Sequence, residues 1–373
     1  MFNQYILILV WIGFMALIQG SCYRQEYSEI SRQNERRVKP IFAFILVMPM
    51  IFMAAFRGYI ADTSAYIETY HNMPDSFFGI SSYMETVDKD KGFYFLSAII
   101  RCIFGYDAVP YLFIIAAVQL WILAKFYRKY SSDFAFSMFL FVASSDYFGW
   151  MFNGIRQFTA VVIALLAVPY ILSKSKKGFI GKYLPVILIV IIASTMHQSA
   201  LLMIPFFLIA QGEPYNKKTV LFIVLALAAV TYAGEFTSFM DDTLQSTQYS
   251  NVVSDFQEWN DDGTNPIRVL IYSIPAIIAF FGRAQIRKKG NVLINLSVNM
   301  SIISMGLYFM SMVTSGIFIG RLPIYCSLFN YILLPWEIDN LFLHNTEKTI
   351  RLAAIIGYLG FYYYFLHFQS GLI

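Results

Sequence analysis

The sequence predicts an all-α, polytopic integral membrane protein. Of its 373 residues, 58% are hydrophobic and 13% are charged, whereas soluble domains are about half apolar and about a quarter charged. Aromatic residues make up 18% of the chain, as expected where rings anchor helices at the membrane interface. Backbone that faces lipid must satisfy its own hydrogen bonds, so the apolar segments are predicted to be helices.

About twelve apolar segments are close to the length that crosses a bilayer as a helix. The first has no basic residue before it and no small-residue cleavage site after it, which predicts a membrane span rather than a signal peptide. No internal repeat divides the chain, so a single polytopic domain over 1–373 is expected. The segments are 5–22, 40–56, 108–124, 134–151, 155–172, 183–196, 199–211, 219–234, 266–282, 292–312, 322–336 and 350–367.

Clusters of Lys and Arg predict the topology, because short cytoplasmic loops are enriched in both residues. Most of the 27 basic residues fall in six clusters between the segments. Placing all six in the cytoplasm requires helix breaks near Asn153-Gly154 and near His197, and it requires that 92–104 does not cross. Both chain ends then face outward, and the outer loops 57–107 and 235–265 form the predicted substrate-facing region.

Five arginines remain on the outer side of this topology. For any single one, a simple explanation is a side chain that reaches up to the lipid headgroups. However, the outer helix ends carry arginine and no lysine, and a planar guanidinium can bind two phosphate oxygens at once, which an ammonium cannot. The pattern predicts a site for a lipid-linked phosphate or diphosphate, formed by Arg57, Arg101, Arg156, Arg268 and Arg321.

Polar residues beside these arginines are the other candidates for the site. His197 lies in Met-His-Gln-Ser-Ala, where it is either a general base or hydrogen-bond partner for a sugar, or a packed polar residue that joins two helices. Asp62 is the second candidate base. Thr63 and Tyr66 follow it on the same stretch and could contact sugars, and Gln157 lies next to an arginine of the set.

Other patterns point away from metal or nucleotide chemistry. Asp88-Lys89-Asp90 imitates a paired-acid metal site, but no further ligand is nearby in the sequence and a solvated loop is predicted. The sequence contains no P-loop, dinucleotide fingerprint or zinc-ligand spacing. We therefore expect no cofactor, no bound metal and no nucleic-acid partner.

Six short motifs follow one another along most of the chain: Phe56-Arg57, Asp62-Thr63 with Tyr66, Gly92-Phe93, Gly154-Ile155-Arg156-Gln157, His197-Gln198-Ser199-Ala200 with Pro205, and Gly320-Arg321 with Tyr325. Each motif is weak alone, but their order and spacing resemble the EpsG/Wzy-like family of polysaccharide polymerases. One motif departs from the family pattern, which has an acid and a proline before the Gly-aromatic pair, whereas this chain has Asp90-Lys91.

The resemblance implies a multi-pass glycosyltransferase of the bacterial cell membrane, of the hexosyltransferase class and similar in fold to GT-C-type enzymes. Such an enzyme joins repeat units of a capsule, exopolysaccharide or O-antigen. Its substrates are oligosaccharides on polyprenyl diphosphate in the outer leaflet of the bilayer, and its implied partners are a flippase and a chain-length regulator. The chemistry of such a reaction gives the same residues roles independently. We expect the arginines, with Arg57 among the catalytic residues, to hold the departing diphosphate, and His197 or Asp62 to activate the attacking hydroxyl. Tyr66 and Tyr325 are expected to bind substrate.

Two other functions are compatible with the same residues. A flippase or transporter of lipid-linked glycan would place charges along a path at mid-membrane, whereas these arginines are predicted at one rim. A membrane acyltransferase that modifies surface polysaccharide also pairs arginines with a histidine. Its acyl donor comes from the cytoplasm, so its key residues should be distributed across the bilayer.

Overall fold

Helices account for most of the protein in the computed structural model, which describes residues 4–28, 32–173, 178–244 and 263–372. The chain divides into two compact units. Unit 1 comprises Met1–Ile204 with Ile356–Ile373, and unit 2 comprises Pro205–Ile355.

Unit 1 begins with a helix, a β-hairpin and a second helix, and continues as a series of helices of unequal length. Several helix starts have clear local causes: Pro40 occupies the first turn of α2, and the Asp133 side chain accepts a hydrogen bond from the Phe136 N–H at the start of α7. The elements are α1 Gln4–Ile18, β1 Tyr23–Ser28, β2 Gln33–Val38, α2 Pro40–Ala55, α3 Thr63–His71, α4 Ile80–Glu85, α5 Lys91–Phe104, α6 Val109–Tyr130, α7 Phe134–Ala143, α8 Asp146–Phe148, α9 Ile155–Leu165, α10 Val168–Leu172 and α11 Gly178–Met196.

In its described residues, unit 2 consists of helices, and asparagine side chains cap three of the helix starts. Asn216, Asn265 and Asn291 each accept backbone N–H groups of the following turn, which would otherwise lack partners. The remaining elements of the chain are α12 Met203–Ala210, α13 Lys217–Thr231, α14 Ala233–Leu244, α15 Pro266–Phe281, α16 Arg283–Lys289, α17 Val292–Met312, α18 Ile324–Ser327, α19 Asn330–Leu341 and α20 His344–Tyr364.

Five helical stretches within the described residues are long and apolar enough to cross a membrane: Gln4–Cys22, Val109–Tyr130, Ile155–Leu172, Val292–Met312 and His344–Gln369. The count rises to seven if two bent pairs, α13 with α14 and α15 with α16, are each one span. Four further apolar helices contain only 10–17 residues. The all-α, membrane-embedded class is thus confirmed, while the count of twelve spans stays a prediction.

Helix breaks occur at both positions that the charge pattern requires. A π-helical turn over Gly149–Asn153 precedes Gly154, and α9 starts at Ile155. The ring of Phe141 in α7 stacks on that of Phe158 in α9 with centroids 5.8 Å apart, so these two helices pack against each other. In the second case α11 ends at Met196, His197 is extended, and a 3₁₀ turn begins at Gln198.

The stretch 24–39, one of the six basic clusters, contains the antiparallel hairpin of β1 and β2. Arg128, in the last turn of α6, holds the hairpin by donating to the Val38 carbonyl over 2.6 Å and by pairing with Glu26. The sequence here lacks the alternation of apolar and polar residues that predicts a strand. The hairpin is stabilised by charge contacts and backbone pairing and needs no apolar face.

The two predicted outer loops also contain helices. Stretch 57–107 carries α3, α4 and the 14-residue α5, and α5 is not among the apolar helices that could span. Stretch 235–265 begins inside α14, and its residues 245–262 lie outside the described part of the chain, as do the basic residues at 174–177. Both stretches therefore contain helices where they are described, and their place on the outer face of the membrane stays a prediction.

Candidate functional site

Arg57 follows the end of α2 and is the first component of the site. Its side chain is 8% exposed, one Nη donates to the carbonyl oxygen of Met151, and the guanidinium carbon lies 4.8 Å from the ring centroid of Phe152. The Nε–H has no hydrogen-bond partner, and no carboxylate within the described ranges forms an ion pair with Arg57. Burial lowers the pKa of Arg57 to about 10, so the group is a buried cation at neutral pH.

Arg156 lies in the first turn of α9, directly after the break at Gly154. One Nη donates to the Asp90 carboxylate over 2.7 Å and to the Tyr94 hydroxyl over 3.2 Å. The guanidinium carbon is 5.6 Å from the centroid of the Tyr94 ring. The Arg156 Nε–H is buried and has no partner. The side chain is thus fixed in orientation by Asp90 and Tyr94 while retaining an unused donor.

Asp90 is held by its backbone conformation and by a close helix contact. It caps α5 in the left-handed conformation, with φ of 53°, and its other carboxylate oxygen accepts the Gln198 N–H over 3.3 Å. A Cβ at Gly92 would lie 2.7 Å from Thr195 Cβ, so only glycine lets the start of α5 approach the end of α11. Burial raises the pKa of the Asp90 carboxyl, and Arg156 and the Gln198 N–H oppose that shift.

The predicted solvated loop at Asp88-Lys89-Asp90 is therefore only partly correct. Asp88 and Lys89 are exposed, whereas Asp90 is 6% exposed and paired with Arg156. Sequence reasoning missed Asp90 as a site residue because its burial depends on the left-handed turn and on a contact with residues more than 100 positions away. The available signal was its place two residues before Gly92 in the Gly-aromatic motif.

Tyr66 in α3 interacts electrostatically with both arginines. Its hydroxyl donates to the Asn153 carbonyl over 3.3 Å. Burial raises the pKa of Tyr66 and the Arg156 charge opposes this, while Tyr66 in turn acts electrostatically on Arg57. Tyr66 also packs with Phe93 on the core cluster around Tyr111. The structure thus brings Arg57, Tyr66 and Arg156 to one region of unit 1.

The remaining candidates on α3 and α9 differ in exposure. Asp62 is exposed at the start of α3, and its charge acts on Tyr66. Thr63 is 0% exposed, and its hydroxyl oxygen has no hydrogen-bond partner. Gln157 is 4% exposed within α9. Of these three residues, only Asp62 has a side chain that is open to solvent.

His197 lies one residue before Gln198 and so borders the Asp90 contact. Its Nδ1 accepts the Ser199 N–H over 3.4 Å and lies 2.7 Å from the Ser199 hydroxyl. Because a backbone N–H can only donate, Nδ1 acts as the acceptor here, and Nε2 carries the proton of a neutral ring. This arrangement suits a hydrogen-bond donor and helix cap, the packed role that the sequence also allowed.

Arg101 lies near the other end of α5, about 16 Å from Asp90 at 1.5 Å per helical residue. It is 9% exposed, and its guanidinium carbon is 5.8 Å from the ring of Tyr70 and 5.2 Å from that of Tyr106. Its Nε–H is buried without a partner. Arg101 therefore forms a separate aromatic-lined cation centre in unit 1.

The last three predicted residues belong to unit 2. A Cβ added at Gly320, the residue before Arg321, would lie 2.6 Å from Thr264 Oγ1. The Thr264 N–H donates to the Ser311 carbonyl oxygen over 2.9 Å. Arg268 follows in the first turn of α15, so Arg268 and Arg321 lie at the same end of unit 2. Arg321 is exposed, whereas Tyr325 is 0% exposed and enclosed in the interior.

One buried and one half-buried guanidinium group with unused donors, a tyrosine that interacts with both and a carboxylate that orients one of them form a suitable receptor for phosphate oxygens. A family model described as the EpsG family matches residues 40–372, which confirms the resemblance seen in the motifs. No curated protein and no solved structure matches the chain.

Proposed function

The chain belongs to the EpsG family, and on that premise we propose that it is a repeat-unit polymerase, a hexosyltransferase that extends a bacterial capsule, exopolysaccharide or O-antigen. Its substrates are oligosaccharides on polyprenyl diphosphate. The observation that carries the proposal is the grouping of Arg57, Tyr66, Arg156 and Asp90 in unit 1, with two buried Nε–H groups lacking partners.

In the proposed reaction a hydroxyl of one repeat unit attacks the anomeric carbon of the lipid-linked chain. A carbon–oxygen bond forms to the hydroxyl oxygen, the bond from the anomeric carbon to the diphosphate oxygen breaks, and polyprenyl diphosphate leaves with the electron pair. The hydroxyl proton passes to a base. Fixed cations at the leaving oxygens stabilise the developing negative charge, so Arg57 and Arg156 perform the function that a metal ion or general acid performs elsewhere.

The other side chains receive roles from their contacts. Asp90 is a positioning residue, because it bonds to the Arg156 guanidinium and so fixes its orientation. Asp62, exposed beside Tyr66, is the proposed proton acceptor. His197 is proposed to donate from Nε2 to a sugar oxygen, since its Nδ1 is occupied by Ser199.

The proposed topology places this site at the outer face of the cell membrane, where lipid-linked repeat units are presented. Twelve spans and a GT-C-like arrangement belong to the same proposal. Arg101, Arg268 and Arg321 would hold further phosphate or acidic sugar groups near that face. The basic clusters at the opposite helix ends support this orientation.

The proposal is tested by deleting the gene in its host and identifying the lipid-linked glycan that accumulates. We expect single repeat units on the outer leaflet, no polymer, and restoration by the wild-type gene but not by Arg57→Ala. Arg36→Ala, an exposed hairpin arginine, is the matched control. Accumulation on the inner leaflet would instead indicate a flippase, and full-length polymer lacking an acyl group would indicate an acyltransferase.

A further inference from the structure

Unit 2 contains a cavity whose lining does not include the arginines discussed so far. It has a volume of about 570 Å³ and lies among α13, α15 and α17, within the size range of small-molecule sites. Its walls are apolar, with Val220, Ile277 and Phe280 among the lining residues. These three side chains are 46%, 43% and 47% exposed, so the cavity opens on the apolar outer surface of the unit.

Two arginines stand at one end of this apolar cavity. Arg283 and Arg287 of α16 both line it. The guanidinium carbon of Arg283 lies 4.6 Å from the centroid of the Phe280 ring, and Arg287 donates to the Pro214 carbonyl over 3.1 Å. Neither arginine forms an ion pair with a carboxylate in the ranges that the structure describes.

A bend in the chain puts the arginines in this position. α15 and α16 meet at Gly282 with an angle of 72° between their axes. A Cβ at Gly282 would lie 2.5 Å from Leu341 Cδ1, so glycine allows the bend to pack against the end of α19. The 16-residue apolar helix α15 thereby turns at its end into a short basic helix, which carries Arg283 and Arg287 beside the apolar cavity.

We propose that this cavity binds one anionic phospholipid of the surrounding bilayer. The apolar walls would take part of an acyl chain, and the two guanidinium groups would bind the phosphate with paired hydrogen bonds. Tyr215, whose hydroxyl donates to the Ala276 carbonyl over 3.1 Å, closes the polar end of the cavity. Glu337 acts electrostatically on Tyr215 but is fully buried and is not part of the cavity wall.

The proposed binding of the lipid phosphate by the two arginines is tested by native mass spectrometry. Lipid binding is measured on the full-length chain purified in detergent. We expect one phosphatidylglycerol per chain and no bound phosphatidylcholine at the same concentration. The double variant Arg283→Gln/Arg287→Gln should weaken phosphatidylglycerol binding by roughly tenfold or more. Lys217→Gln/Lys288→Gln removes two exposed charges that do not line the cavity and should leave binding unchanged.

The proposed insertion of an acyl chain is tested by a substitution that fills the apolar part of the cavity without changing its charge. Val220→Trp should abolish phosphatidylglycerol binding, while Leu221→Trp, at the next exposed and non-lining position, should not. Equal binding of both phospholipids, or wild-type binding by the arginine variant or by Val220→Trp, would overturn the proposal. Tighter binding of a polyprenyl phosphate than of phosphatidylglycerol would also overturn it, by making the lipid carrier the occupant.

Discussion

Arg57, Arg101 and Arg156 each keep a buried Nε–H without a hydrogen-bond partner. An unsatisfied buried donor costs roughly 1–3 kcal/mol, and more when the group is charged. Unit 1 carries a fourth such group at Arg37 of the hairpin. The folded chain gains that free energy back wherever an anion supplies the acceptors. Phosphate oxygens match the fork of N–H groups and can accept from two of them at once.

At the residue scale, the orientation of Arg156 is the most specific prediction. Arg156→Lys retains the charge but cannot donate to Asp90, Tyr94 and a phosphate from one rigid plane. We expect the rate of chain extension per inserted protein to fall by roughly 10- to 100-fold, the equivalent of one charge-assisted hydrogen bond. Polymer length on gels, together with protein level in the membrane, gives the measurement.

Asp90→Asn should lower the extension rate in the same direction, because the amide keeps the size of the side chain and loses the charge that orients Arg156. Arg36→Lys on the exposed hairpin provides the control and should extend at the wild-type rate. Wild-type rates for both Arg156→Lys and Asp90→Asn at equal protein level would show that the pair is only structural.

At the residue scale, the sequence indicates which charged residues are candidates but not which of them lie close together. The arginines were selected because their position against the charge pattern is visible in the sequence itself, and their roles stay predictions. Asp90 was missed because its environment depends on Gln198 and Arg156, which are distant in the chain. Tyr325 was expected on a binding surface but is enclosed. The sequence could not predict this, because a tyrosine in an apolar stretch gives the same pattern whether it faces a ligand or the core.

At the scale of elements, glycine positions determine which helix ends can meet. Gly92 brings the start of α5 to the end of α11, and Gly154 ends the π-helical turn before α9, where a Cβ would lie 2.8 Å from the ring of Trp150. Both glycines belong to motifs of the family. Their role is therefore to place Asp90 and Arg156 within hydrogen-bond distance of each other.

Gly92→Ala should separate α5 from α11 and break the Asp90 contact with Gln198. Overpacking of this kind typically costs about 1–3 kcal/mol, so we expect a lower Tm in detergent and loss of polymer. Gly13→Ala in α1 has no atom within 4 Å of the added Cβ and is the matched control. Thr195→Gly removes the nearest clashing atoms, and the double variant Gly92→Ala/Thr195→Gly should regain part of both readouts. A Gly92→Ala protein with wild-type Tm and polymer would refute this account of the glycine.

The element boundaries show what local patterns can and cannot predict. The breaks near Gly154 and His197 were predicted, because six basic clusters cannot share one side of the membrane without them. The hairpin of β1 and β2 was not predicted, because residues such as Arg24 and Arg37 lie opposite each other across the strands and no apolar face marks them. Its stability depends on Arg128, which lies about 100 residues further along the chain.

At the scale of the whole molecule, orientation in the membrane decides whether the site can meet its substrate. Hydropathy alone did not give the number of spans, since α7 has only ten residues and α13 and α15 each lead into bent pairs. Charge asymmetry is the independent signal. It predicts that the start of α3 and the turn before α18 face outward and that the hairpin faces the cytoplasm.

Cysteine labelling in intact cells checks this orientation. In a background without Cys22, Cys102 and Cys326, we expect Ser64→Cys and Arg321→Cys to react with a membrane-impermeant maleimide. Arg36→Cys should react only after the cells are permeabilised. All three native positions are exposed, so failure to label would reflect the side of the membrane. Labelling of Arg36→Cys alone in intact cells would invert the topology.

The most direct test of the central claim is chain extension by the purified protein. Incubated in lipid vesicles with polyprenyl-diphosphate-linked repeat units and no nucleotide sugar, the wild-type protein should produce a ladder of longer glycans and release one polyprenyl diphosphate for each bond formed. Arg57→Ala should produce neither, while retaining the wild-type Tm within a few degrees. A wild-type protein that leaves the repeat units unjoined, or a ladder of equal yield from Arg57→Ala, would contradict the claim.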